Sequence, residues 1–107
     1  MKYKTEVTAG TTGFDRNGDV IDKPDARIGE CRALAGSLFG GFTARIGFGG
    51  YTNQAGESVL EPCITFVCYY DGLIADGIGE TFASTVRDIL KRESVVLAVS
   101  EVNARFV

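Results

Sequence analysis

Phe42-Thr43-Ala44-Arg45-Ile46-Gly47-Phe48 and Cys63-Ile64-Thr65-Phe66-Val67-Cys68-Tyr69-Tyr70 form the two arms of a long β-hairpin that runs to Asp71. The second arm is the densest apolar, β-favouring run in the chain. Side chains alternate across a strand, so Ile64, Phe66 and Cys68 share one face and Thr65, Val67 and Tyr69 the other. The first arm sorts more cleanly: Phe42, Ala44, Ile46 and Phe48 point one way, Thr43 and Arg45 the other. Between them, Tyr51-Thr52-Asn53-Gln54-Ala55-Gly56-Glu57 is polar and holds turn formers. One face of the hairpin is thus apolar enough to require helices on it.

Working outward, Lys2 to Ala9 alternates, with Tyr3, Thr5 and Val7 opposite Lys2, Lys4 and Glu6, and reads as a strand. Asp15-Arg16-Asn17-Gly18-Asp19 carries a tight-turn signal at Asn-Gly. It resembles a calcium loop only faintly, because the glycine is misplaced and no glutamate closes it. Asp22-Lys23-Pro24-Asp25 opens a helix that runs to Phe39, with Ile28, Cys31, Leu34, Ala35 and Leu38 at helical spacing. Gly40-Gly41 ends it. A second helix is expected from Ile74 to Arg92, with Ile78, Phe82, Val86, Ile89 and Leu90 as its buried stripe. Ser94 to Ser100 is β-branched and reads as a strand buried on both faces, and Glu101 to Phe106 alternates beyond it.

The order β-α-β-β-α-β closes most simply as an α+β, ferredoxin-like sandwich. An antiparallel sheet then carries two helices on one face, within a single domain over residues 1–107. Right-handed crossovers place the first and third strands centrally and leave the last at an edge. The helix-facing core would hold Tyr3, Thr5, Val7, Ile46, Phe48, Ile64, Phe66, Cys68, Leu97 and Val99. A dimeric α+β barrel has the same element order and stays open.

Composition excludes several function classes. The chain has 107 residues, 45% hydrophobic and 23% charged, as in an ordinary soluble domain. No apolar run approaches the roughly 20 residues that span a bilayer. The start, Met1 to Glu6, lacks a signal-peptide core, so a cytoplasmic protein is expected. There is no histidine, which removes Ser-His-Asp and Cys-His catalysis and most transition-metal sites. Three cysteines without a C-x-x-C pair form neither a disulfide framework nor a zinc site. A net charge of −3 disfavours nucleic acid and anionic membranes as partners.

Gly47-Phe48-Gly49-Gly50-Tyr51 is the most unusual local composition. It is either a bend in a long strand or a place where backbone approaches a ligand while Phe48 and Tyr51 stack on a ring. Gly77-Ile78-Gly79, opening the second helix, could bind an anion, but Asp71, Asp76 and Glu80 crowd that end. The sheet face away from the helices would carry Lys4, Glu6, Arg45, Thr65, Val67, Tyr69, Val96 and Ala98. It is either solvated or covered by another subunit. Arg27, Arg92 and Arg105 stand at element ends, where a planar guanidinium suits a phosphate. No nucleophile–base couple is readable, and an enzyme would have to rely on Glu80 or Asp71.

Gly41-Phe42-Thr43, the glycine-rich strand ending in Tyr51, Gly56-Glu57, Tyr70-Asp71 and Glu93-Ser94-Val95 resemble a family of small bacterial α+β proteins of unknown function. The compact chain with arginines at element ends also resembles the phage anti-Thoeris sponge proteins. Those are oligomers that sequester cyclic ADP-ribose-type immune signals with arginines and an aromatic at subunit interfaces. That resemblance implies Arg27, Tyr69 or Tyr70, and Arg92 or Arg105 as ligand-binding residues. The expectation is therefore a non-catalytic, phage-type anti-defence homo-oligomer without cofactor or metal, located in the host cytoplasm. Its ligand would be a small phosphorylated, nucleotide-like signal, bound by Arg27, Phe48, Tyr51, Tyr69, Tyr70, Arg92 and Arg105. The alternative is an inhibitor that uses its sheet face or edge strand on a host enzyme.

Overall fold

The computed structural model describes residues 2–11, 24–72, 77–105 and 107. The elements run β1 (Lys2–Gly10), α1 (Pro24–Phe39), β2 (Thr43–Thr52), β3 (Ser58–Asp71), α2 (Ile78–Ile89) and β4 (Val96–Val102). Asp15 to Asp19 and the expected first turn of the second helix lie outside the described residues. The four strands form one antiparallel sheet in the order β2-β3-β1-β4, with β1 and β3 central and β4 at an edge, as the crossover rule requires. This is the ferredoxin-like α+β arrangement.

Register decides which side chains meet the helices. Thr5 stands opposite Cys68 and Val99, and Val7 opposite Phe66 and Leu97. Thr5, Val7, Ala9, Ile64, Phe66 and Cys68 therefore line one face, and all are buried. From the helices come Ile28, Cys31, Ala35 and Phe39 of α1, and Phe82, Ala83 and Val86 of α2. Phe82 is the centre. It meets Phe39 edge-on at 5.4 Å and Phe66 at 5.7 Å, the arrangement that sets a positive ring edge against a negative ring face.

Gly79 explains the glycines that open α2. A Cβ there would lie 3.2 Å from Thr5 Oγ1 and 3.3 Å from the Val99 side chain. The glycine lets the helix lie close on β1 and β4, so its role is packing. The hairpin turn is held by Asn53, whose Oδ1 accepts from the backbone N–H groups of Ala55 and Glu57, while Gly56 takes φ 79°. That is an Asx-type turn with glycine at its left-handed position.

Two expectations need correction. Ile46 and Phe48 lie in the helix-facing register, yet each is 75% exposed. The hairpin outruns the helices. At about 3.3 Å per strand residue and 1.5 Å per helix residue, β3 is roughly twice as long as α1. β4 is not buried on both faces either: Val96 is 67% and Val99 48% exposed. Its β-branched run reflects strand propensity rather than burial.

Two outcomes follow from this core. Phe82→Ala should cost roughly 3–5 kcal/mol in denaturant unfolding, since it empties the aromatic centre; a loss below about 1 kcal/mol would contradict that assignment. Burial pushes the Cys68 thiol from 9.0 up to about 11, and burial together with the Glu30 carboxylate does the same at Cys31. In the unfolded chain these thiols ionise first. Their contribution is thus complete below pH 9.0 and is lost as pH rises toward about 11. Melting temperatures should fall across that window, and less steeply in a Cys31→Ala, Cys68→Ala chain.

Candidate functional site

At the end of the sheet where β1 begins, Lys2 stands opposite Asp71 of β3 and Val102 of β4. There α1 hands over to β2. Gly40 takes φ 80° and its N–H bonds the Gly36 carbonyl at 2.9 Å, closing the helix in the left-handed conformation that glycine permits. Phe42 follows, partly exposed, with its ring 6.1 Å from Phe66. A cleft of about 490 Å³ opens between these segments, with Lys2, Phe42, Tyr69, Tyr70 and Asp71 among its walls. A second, of about 390 Å³, is lined by Lys2, Tyr69, Asn103, Ala104 and Arg105. Lys2 and Tyr69 line both, so the two clefts adjoin.

The neighbouring tyrosines do different jobs because alternation sends them to opposite faces. Tyr70 is partly buried and packs against the core: its hydroxyl bonds Thr5 Oγ1 at 2.9 Å, and its ring lies 5.9 Å from Tyr3 and 5.2 Å from Phe39. Tyr69 presents 40% of its surface to solvent. The end thus combines an anchored ring, an accessible ring, the cations Lys2 and Arg105 and the carboxylate of Asp71. Such a set suits a flat heterocycle carrying a short zwitterionic or anionic tail.

Of the seven residues singled out in the sequence, Tyr69, Tyr70 and Arg105 are brought together here. Arg27 and Arg92 are not. Arg27 Nη1 donates to the Ile89 carbonyl at 2.9 Å, tying the first turn of α1 to the last of α2. Arg92 Nη2 donates to both carboxylate oxygens of Glu61, at 2.9 and 3.0 Å, and both side chains are over four-fifths covered. Gly10 makes room for that pair, since a Cβ there would fall 2.5 Å from Glu61 Oε1. Phe48 and Tyr51 lie on the outer half of β2 and face opposite sides of it. Lys2 and Phe42 were missed as site residues, and Asp71 was named only as a possible acid or base for an enzyme. Their signal is topological: in this strand order the start of β1 and the ends of β3 and β4 meet at one end of the sheet.

Among the described residues no three His, Cys, Asp or Glu side chains gather as metal ligands. No helix among them is long and apolar enough to cross a membrane.

No family model matches the chain, and no curated protein matches it. Solved structures do. A phage SAM lyase in complex with S-methyl-5′-thioadenosine superposes with a TM-score of 0.68 at 16% identity, covering 94% of this chain and 81% of that one. A phage SAM lyase in the apo state gives 0.66 at 14% identity, covering 92% and 78%. At this identity the likeness is one of fold. It corrects the expectation of a non-catalytic chain, because the shared fold is one that carries an enzyme. The missing histidine removed particular mechanisms and not catalysis as such. The resemblance to a phage protein is upheld at the level of fold, and the likeness is to a lyase rather than to the sponge proteins.

The two arginine classes should separate experimentally. Arg92→Ala leaves the Glu61 carboxylate covered and without this donor, and should cost about 1–3 kcal/mol in unfolding free energy. Arg105→Ala, at an exposed position, should stay within about 0.5 kcal/mol of the parent. Equal losses would put Arg105 in the fold rather than the cleft.

Proposed function

We propose that the paired clefts at Lys2, Phe42, Tyr69, Asp71 and Arg105 bind S-adenosylmethionine and cleave it to methylthioadenosine, in a phage-type anti-defence role that depletes the methyl donor. The observation that carries this reading is an aromatic, charge-flanked cleft in a fold that matches a SAM lyase across nearly the whole chain. The small, nucleotide-like ligand expected from the sequence is retained as a nucleoside, without a requirement for phosphate.

The chemistry asks little of the protein. A sulfonium carries its own leaving group. One oxygen of the ligand's α-carboxylate attacks the γ-carbon, and a C–O bond forms as the C–S bond breaks. The bonding pair moves to sulfur, which becomes a neutral thioether. The products are methylthioadenosine and an amino-lactone, and no proton is transferred. A histidine-free chain can therefore support the step by holding the folded tail in reach of the γ-carbon and keeping water out. Tyr69 and Phe42 offer ring faces to the adenine and to the sulfonium cation. Asp71 complements the ligand's ammonium group. Lys2 and Arg105 orient the carboxylate through one oxygen and leave the other to attack. Tyr70 positions this wall through Thr5 and is not in the reacting set. Arg27 and Arg92 hold the fold, and Phe48 and Tyr51 are left outside this cleft.

Incubation with S-adenosylmethionine followed by chromatography should show methylthioadenosine and the lactone in equal amounts. Tyr69→Ala should lower the rate at least about tenfold, a loss of roughly 1.4 kcal/mol in transition-state stabilisation, with the melting temperature unchanged. Substrate recovered intact would overturn the reading.

A further inference from the structure

The outer hairpin leaves three large apolar side chains bare: Ile46 and Phe48 at 75% and Leu60 at 74% exposure. All three belong to the helix-facing register, since Ile46 pairs with Ile64, Phe48 with Pro62 and Gly50 with Leu60. They form one patch on a strand pair that continues past the helices. β2 is also an edge of the sheet among the described residues. Edge strands are ordinarily protected by lysine, proline, bulges or brevity. β2 has ten residues, no lysine and no proline, and its glycines at 47, 49 and 50 leave the backbone accessible.

Among the described residues the opposite edge is built in the same way. β4 reads Val96-Leu97-Ala98-Val99-Ser100-Glu101-Val102, again without lysine or proline. Its helix-side residue Val99 is 48% exposed. Among the described residues, each copy of the chain thus has one edge strand with exposed Ile46 and Phe48, and another with exposed Val99 on the same side of the sheet.

We propose that the β2 edge and its apolar patch are an interface for a second copy of this chain, whose β4 continues the sheet. Continuation keeps the helix-side faces aligned, so Ile46 and Phe48 of one protomer lie beside Leu97 and Val99 of the next. The charges favour this pairing over β2 against β2. The single charge in β2 is Arg45 and the single charge in β4 is Glu101. A β2–β2 pair would set two Arg45 guanidiniums on one face, and a β2–β4 pair does not. Adding a strand and covering the patch buries on the order of 1,000 Å² over both partners, near the lower bound of a specific interface. Pairing unlike edges is head-to-tail, so the assembly closes as a ring or barrel or grows as a filament. The inference does not depend on the lyase reading.

Sedimentation velocity from about 1 to 100 µM, a range spanning typical interface affinities, should show assembly above the monomer. Phe48→Asp and Ile46→Asp should each shift the chain to monomer with unchanged circular dichroism, because both residues are exposed in the protomer. Hydrogen exchange at the two ends of the concentration range should show protection gained in β2 and in β4 together. That measurement needs no variant and so survives a substitution that unfolds the chain. A wild-type chain that is monomeric throughout, an assembly indifferent to both substitutions, or protection gained in β2 alone would each overturn the proposal. None of these outcomes bears on SAM cleavage measured with the parent chain, so the two readings fail separately.

Discussion

The structure depends on the contact between Phe66 of the central strand and Phe82 of the second helix. Phe82 is fully buried, and its edge-on contacts to Phe66 and Phe39 join the sheet to both helices. Such a contact is possible only because β3 lies inside the sheet, with β1 on one side and β2 on the other. Antiparallel register then carries the alternation of β3 into its neighbours. Once Phe66 faces the helices, Val7 and Ala44 face them too, and Glu6 and Thr43 face away.

That same constraint limits the core. Helices rise about half as fast per residue as strands, so two helices of ordinary length cannot cover a hairpin of this reach. The protein is accordingly elongated, with extents of 46 × 28 × 25 Å. Where helices and sheet coincide, polar groups are paired off: Tyr70 with Thr5, Arg27 with the end of α2, Arg92 with Glu61. Beyond them the apolar register continues without a cover. The covered half accounts for stability, and the bare half for an exposed apolar surface that a domain of this size does not ordinarily carry unused.

The clefts at the start of β1 arise from the same geometry. Strand ends and a helix C-terminus converge there. Burial on one face anchors Tyr70, and alternation then obliges Tyr69 to face outward. An accessible aromatic is thus set beside a rigid one. The absence of histidine and of a nucleophile–base couple does not by itself exclude catalysis, since the same fold carries a lyase.

How much was legible in the chain varies with the range of the interaction. Periodicity is local. It sufficed for the limits of α1 at Pro24 and Phe39, for the order of elements and for the buried face of β3, and turn formers placed the hairpin turn within Tyr51 to Glu57. Handedness and strand order followed from that list, because right-handed crossovers leave few alternatives. The apolar alternation of Ile46 and Phe48 was equally readable, but alternation names a face and says nothing of what lies over it. Exposure there was decided by the lengths of the helices against the sheet. Site membership is longer-ranged still. Arg27, Arg92 and Arg105 are alike as residues at element ends, and only tertiary packing sends two of them to protein partners and leaves the third at a cleft. Lys2 and Asp71 become neighbours through a register spanning most of the chain, which no local pattern carries.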